Sequence, residues 1–411
     1  MNMIDRPATG EAPQTMIGPG GGWAVPLAAL AVALLAWGVL FGEEIVAAVA
    51  VWDNSTAYNH CWLILPIALW LGWQRRARLV GLVPRPSARL ALLLLPLAVG
   101  WLLAERLGIM EGRQLAAVAI AITMTVAILG SRFGRAMAAP LGYLVFLVPF
   151  GAFTVPMLQR VTAGLIEFLL GFTGIPHYVD DIIIEIPAGT FLVAEACAGL
   201  RFLIATIAFG ALYALVMFRS PGRRLVVMVL SVVVPIVANG LRGFGLVMLG
   251  HYSGSAAAVD ADHVLYGWVF FSIVLLLLIL AGLPFRQDGA APAVAPVAAF
   301  PLPPARRGAA AFALVAALAI LGAAAGPGAA RVLDQAGAEP PAVLAVVLDP
   351  PEGCVAEADG ARLRCGTMVV TARVVVFPAR AKWSAVVAQR RRLADGSDVD
   401  MTYRVMPPGG A

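Results

Sequence analysis

Long apolar runs separated by short polar stretches organise this chain. They predict about nine membrane crossings, at 23–42, 59–74, 89–104, 114–130, 137–151, 195–218, 225–249, 263–283 and 309–326. Two stretches break the pattern between the fifth and sixth runs. Residues 157–172 carry an apolar face interrupted by Gln159, Arg160 and Glu167, which predicts a helix lying in the membrane interface or dipping partly into it. Residues 180–193 are β-branched around Pro187-Ala188-Gly189, which predicts a small hairpin. Residues 286–308 are rich in Ala and Pro and read as a linker without a core. Beyond the last apolar run, alternation over 342–348, 367–377 and 398–405 predicts short strands. The fold class expected is therefore an all-α polytopic membrane protein with a small external β-rich C-terminal domain. Its divisions are a tail at 1–22, a transmembrane domain at 23–285, the linker at 286–308, an extra transmembrane helix at 309–326 and the β-rich part at 327–411.

Composition agrees with that class. Of 411 residues, 61% are hydrophobic and 13% charged, which excludes a soluble domain of this size. The net charge of +5 would suggest nucleic acid in a soluble protein, but here the arginines cluster in short loops and set topology, so no nucleic-acid partner is expected. With the N-terminus inside, Arg75, Arg76, Arg78, Arg85 and Arg89 share one cytoplasmic loop, Arg132 and Arg135 the next, and Arg219, Arg223 and Arg224 a third. Residues 43–58 and 250–262 carry no Lys or Arg and fall outside. The first 22 residues lack a small-residue cleavage site and read as a cytoplasmic tail before an uncleaved helix. No nucleotide, dinucleotide or zinc motif is present, and the four cysteines show no C-x-x-C spacing, so neither a metal nor a cofactor is expected.

The candidate chemistry begins at Cys197. Placed in the opening turn of the helix predicted over 195–218, its thiol gains from the helix N-terminus, and Arg201, four residues on, shares its face and favours thiolate. The plain alternative is a packed, inert cysteine. Two further membrane-border stretches hold residues that lipid does not tolerate without a reason: Asn239-Gly-Leu-Arg-Gly-Phe-Gly245 and Asp262-His-Val-Leu-Tyr-Gly-Trp268. The arginine count brings Cys197, Arg242 and His263 to the same external leaflet. Arg242 lies about seven residues, or roughly 10 Å, below its helix end, so a pocket slightly inside the membrane is expected. Gly240, Gly243 and Gly245 permit close helix approach or a local break. His60, in Tyr58-Asn-His-Cys-Trp62, reads as an additional pocket residue or as an interfacial anchor; His251 and His177 are weaker candidates.

A thiol, an imidazole and a guanidinium together suit acyl transfer. The three motifs, Glu195-Ala-Cys-Ala-Gly-Leu-Arg201, Asn239-Gly-Leu-Arg242 and Asp262-His263-Val-Leu-Tyr-Gly-Trp268, resemble those of the exosortase and archaeosortase family over roughly residues 25–285, with Tyr58-Asn-His60 a fainter match. The resemblance implies a membrane-embedded cysteine protease or transpeptidase of the plasma (inner) membrane, its site facing the periplasm. It would cleave a C-terminal tripartite sorting signal of the PEP-CTERM type on membrane-anchored protein substrates. It also implies Cys197 as nucleophile, Arg242 as electrostatic stabiliser and His263 as general acid/base, with Arg201, Glu195, Asn239, Asp262 and His60 supporting. Histidine at 263, where archaeosortases more typically have arginine, favours the bacterial branch; Ala198 stands where many relatives have serine. A multi-helix transporter or exopolysaccharide-export component is the alternative class, and a non-catalytic scaffold a third. The oligomeric state is not encoded in any motif.

The remaining cysteines make a local argument. Asp359-Gly360 is a two-residue hairpin turn dipeptide, and counting outward pairs Glu357 with Arg362 and Cys354 with Cys365. That register sets the sulfurs opposite one another at a separation a disulfide accepts, in a compartment where it would persist.

Overall fold

A computed structural model of the chain describes residues 22–253, 263–287, 308–336, 342–344, 350, 353–356, 362–366, 368–371 and 374–376. The described residues of the first compact unit, Met1–Pro327, are mostly helical and include one small sheet. Its elements are α1 (Ala24–Leu40), α2 (Gly42–Asn54), α3 (Cys61–Gln74), α4 (Ala88–Ala91), α5 (Leu94–Arg106), α6 (Met110–Leu129), α7 (Ser131–Ala136), α8 (Ala138–Tyr143) and α9 (Val155–Leu170). Strands β1 (Tyr178–Asp180), β2 (Ile183–Ile186) and β3 (Gly189–Leu192) follow, then α10 (Leu200–Met217), α11 (Pro221–Ser253), α12 (His263–Gly282) and α13 (Ala309–Ala336).

By length and composition, six of the described helical stretches are long and apolar enough to cross a membrane, or seven if the bent pair α1–α2 counts as one span. Cys61–Gln74, Ala138–Leu147 and Val269–Phe285 are shorter apolar helices, which is where the count departs from the nine runs of the sequence. Two further expectations need correction. Residues 43–54 form helix α2, bent 74° from α1, not a loop. Residues 152–170 are themselves a candidate span. They lie side by side with α11, burying Leu158, Thr162, Ala163 and Ile166.

Helices α8 and α9 read as one broken rod. Pro149 forces the preceding Val148 out of the helical region (φ −79°, ψ 123°), ending the 3₁₀ turn Leu144–Leu147 that extends α8. Gly151, at φ +116°, takes the left-handed backbone from which the next helical stretch starts. The carbonyls stranded by this break find donors: Cys61 Sγ donates to Phe146 O at 3.4 Å and Trp52 Nε1 to Leu147 O at 3.1 Å. Such irregular backbone is tolerated at membrane depth only where protein groups satisfy it.

A second buried polar region fastens α2 to α5 and α6. Arg113, 9% exposed, donates to Glu44 (2% exposed) at 2.7 Å, to Glu105 at 2.8 Å and to Glu43 at 3.1 Å, while Trp101 Nε1 donates to Glu44 at 3.0 Å. Burying charges in an apolar bundle is tolerable when each meets its opposite. The sequence reading had left Glu43 and Glu44 in an external loop.

In the second unit, Gly328–Ala411, β5 (Cys354–Ala356), β6 (Arg362–Cys365) and β7 (Met368–Thr371) form an antiparallel sheet, and β4 (Ala342–Leu344) pairs with β8 (Val374–Val376). Cys354 faces Cys365 across β5–β6, Cα–Cα 4.2 Å, and the two are joined by a disulfide. The Asp359-Gly360 turn, Glu357 and the 398–405 run lie outside the described residues.

Candidate functional site

The segment that carries Cys197 hangs between the small sheet and α10. Strands β2 and β3 pair from Ile183↔Leu192 to Ile186↔Gly189 around Pro187-Ala188, the hairpin expected, and β1 adds a third strand. Ile184 and Ile186 turn inward onto Ala163, Ile166 and Leu170 of α9 and Val247 of α11, and the half-buried Cys197 packs against this cluster. The chain then makes a 3₁₀ turn over Glu195–Cys197 and passes through Gly199 at φ +80° before α10 starts at Leu200.

That geometry corrects the sequence reading. Cys197 precedes the helix instead of opening it, and the left-handed Gly199 stands between it and Arg201, so the two do not share a helical face. Glycine is required at 199 on two counts. Its φ disfavours any side chain, and a Cβ there would sit 2.6 Å from Asn239 Cγ.

Asn239, 4% exposed on α11, reaches the thiol-bearing residue through its side chain: its Nδ2 donates to Cys197 O at 2.8 Å and to Thr162 Oγ1 on α9 at 3.0 Å. Gln159, also on α9, donates through Nε2 to Val193 O at 2.8 Å. The close approach of α9 to α11 depends on small residues: Cβ atoms at Gly240 and Gly243 would come within 2.7 Å of Leu165 and Ile166. Helix α11 runs unbroken through these glycines, so close approach is the expectation that applies there.

Arg242 is 6% exposed and lies one turn beyond Asn239. Its guanidinium sits 5.7 Å from the Phe202 ring of α10 and packs on Gly267 of α12, where a Cβ would be 3.3 Å from one of its nitrogens. Phe202 in turn stacks on Phe271, centroids 4.6 Å apart. A narrow crevice lined by Phe202, Asn239, Arg242 and Phe271, among others, joins the three helices. His263 is the first residue of α12, four positions before Gly267. Its side chain and the whole of Asp262 lie outside the described residues.

The other candidates separate from this group. Glu195 is exposed and Arg201 partly buried, and neither side chain bonds to Cys197, Asn239 or Arg242 among the described residues. His60 faces a different space, an apolar cavity of about 290 Å³ bordered by Tyr58, Phe146, Val148, Phe150 and Ile204 at the break in the α8–α9 rod. Its Nδ1 donates to Ala57 O at 3.2 Å and its Nε2 lies 3.9 Å from Cys61 Sγ. Burial lowers the His60 pKa below its ordinary value and pushes the Tyr58 phenol up to about 12. His177 donates to Ile175 O at 2.8 Å, and His251 meets Tyr252 edge-on. Among the described residues no group of His, Cys, Asp and Glu is arranged to hold a metal.

The family description that matches this arrangement is that of the transmembrane exosortases, over residues 52–280, more than half of the chain. The chain belongs to the transmembrane exosortase family. No curated protein and no solved structure matches it. The exosortase match runs from α2 to α12. It therefore takes in every element around Cys197, Asn239 and Arg242 and leaves α1, α13 and strands β4–β8 outside. Gln159 and Thr162 are the contributors that sequence reasoning missed. The signal available was polar residues three apart on an otherwise apolar helix face.

Proposed function

We propose that this exosortase-family membrane protein is a cysteine transpeptidase or protease that cleaves C-terminal sorting signals of exported, membrane-anchored proteins. The observation that supports the reading most is the joining of the motif stretches: Asn239 holds the Cys197 carbonyl, and Arg242, one turn on, packs on Gly267 of α12, the helix whose first residue is His263. In this reading the Cys197 thiolate attacks the scissile carbonyl carbon and forms the C–S bond. Arg242 stabilises the oxyanion, and the C–N bond breaks as His263 delivers a proton to the leaving amine. Water or an acceptor amine then attacks the thioester and releases Cys197. Family membership supports a membrane transpeptidase or protease role; the tripartite signal, the thioester and the periplasmic, inner-membrane placement belong to the proposal. A transporter would leave the contact between the Cys197 turn and Asn239 without a purpose.

The test is processing of a co-expressed protein that ends in a tripartite signal. Cys197→Ala, inserted normally, is expected to leave the full-length substrate, a loss on the order of 10⁴-fold or more. Wild-type processing by that variant would end the enzymatic reading.

A further inference from the structure

We propose that Gln159 and Thr162 of α9 are positioning residues that lock the backbone beneath the Cys197 thiol, Gln159 directly at Val193 and Thr162 through Asn239. The inference rests on the proposed function only where it concerns turnover; the geometry stands apart from it. The linking segment has little to hold it in place. Ala194, Glu195 and Ala196 are exposed, and its internal bonds are Cys197 N to Ala194 O at 2.8 Å and Ala198 N to Glu195 O at 3.1 Å. Two side-chain amides secure its ends instead: Gln159 takes the Val193 carbonyl and Asn239 the Cys197 carbonyl.

Thr162 supports the second of these. An asparagine amide can present either nitrogen or oxygen to a carbonyl, and only nitrogen attracts. The acceptor-only Cys197 carbonyl selects the nitrogen, and the Thr162 hydroxyl accepts the other Nδ2 hydrogen at 3.0 Å, so both amide hydrogens are engaged and the side chain that holds Cys197 O is itself braced on α9. All three side chains are buried, Gln159 at 9%, Thr162 and Asn239 at 4% exposure, where an unpaired amide or hydroxyl is costly. Gln159 and Thr162 lie three apart and so share the face of α9 turned toward α11 and the Cys197 segment. The bonds go to main-chain carbonyls, and among the described residues none is recorded to Cys197 Sγ. The clamp thus fixes the position of the nucleophile without engaging its sulfur. A misplacement of about 1 Å at a reacting atom costs roughly 100-fold in rate.

The experiment uses the full-length, membrane-inserted protein and two readouts. One is processing of a co-expressed substrate; the other is the time course of iodoacetamide labelling at Cys197 at one fixed pH, followed by peptide mass spectrometry. Thr162→Val, which keeps shape and removes the acceptor, is expected to lower processing about 10- to 100-fold and, by loosening the segment around the half-buried thiol, to shift labelling toward the faster time course of an unconstrained cysteine. Thr162→Ser is expected to restore both, and Gln159→Leu to produce the same shift more weakly. Because Thr162 acts through Asn239, the double variant Thr162→Val/Asn239→Ala is expected to lose no more than Asn239→Ala alone. If Thr162→Val fails to insert, Thr162→Ala takes its place. Unchanged processing and labelling in the Thr162 variants, or losses that multiply in the double variant, would overturn the clamp. Processing that survives Cys197→Ala would remove the enzymatic reading, while the labelling time course would still judge the clamp by itself.

Discussion

The α2–α5–α6 cluster and the Cys197 turn both bury polar groups in an apolar bundle, but they bond them to opposite ends. Around Arg113 one guanidinium meets three carboxylates at 2.7 to 3.1 Å, and an indole N–H adds to them, so the charges are used up in holding helices together. Around Cys197 the bonds are amide to carbonyl, and the sulfur is left half-buried and free of a disulfide. The first arrangement suits stability and the second suits reactivity. In sequence the two look alike, because each is a few polar residues at the edge of an apolar run.

The sharpest way to break that distinction is to remove Arg113. Arg113→Ala strands buried carboxylates and is expected to cost about 3–5 kcal/mol, read as a lower thermal midpoint in detergent, whereas Cys197→Ser should leave the midpoint unchanged. Loss of processing per folded molecule in Arg113→Ala at an unaltered midpoint would reverse the two assignments.

A smaller effect is expected in the second unit. The Cys354–Cys365 bond closes a short loop, and Cys354→Ser with Cys365→Ser should weaken that unit by about 2–3 kcal/mol while leaving Cys197-dependent processing intact. Protease sensitivity of the tail, compared under reducing and non-reducing conditions, measures it.

The smallest effect concerns His60. Its burial lowers the folded-state pKa, so below the unfolded value of 6.5 the unfolded chain binds more protons than the folded one. Stability then falls as pH drops from 6.5 toward the depressed folded value and levels off below it. His60→Gln should flatten the thermal midpoint across that window without altering processing. A pH dependence that persists unchanged in the variant would place its origin in another group.

The sequence made some of this legible for specific reasons. A two-residue turn fixes register by counting, so the Cys354↔Cys365 pairing follows from turn chemistry, while β-branched residues around Pro187-Ala188-Gly189 announce the β2–β3 hairpin without its register. The three motifs that meet at Asn239, Arg242 and Gly267 were legible because polar residues in apolar runs are costly. What escaped depends on distant partners. Nothing near Gln159 or Thr162 shows that their partners are Val193 and Asn239, 34 and 77 residues away. The helical periodicity that placed Cys197 beside Arg201 also assumes unbroken helix, and Gly199 with its left-handed backbone cancels that assumption. Residues 43–54 were misread because charge counting marks which side a stretch faces and is silent on whether it is helical.

The broken rod has a mechanical meaning. Its lower piece is moored, with Tyr143 donating to Ala208 O of α10 and Cys61 to Phe146 O. Its upper piece, α9, is fastened to α11 and to the segment bearing Cys197. Between them the four residues Val148 to Gly151 are non-helical, so the hydrogen-bond ladder of one piece ends before that of the other begins. Each piece therefore depends on its own neighbours for its place, α8 on α3 and α10 and α9 on α11.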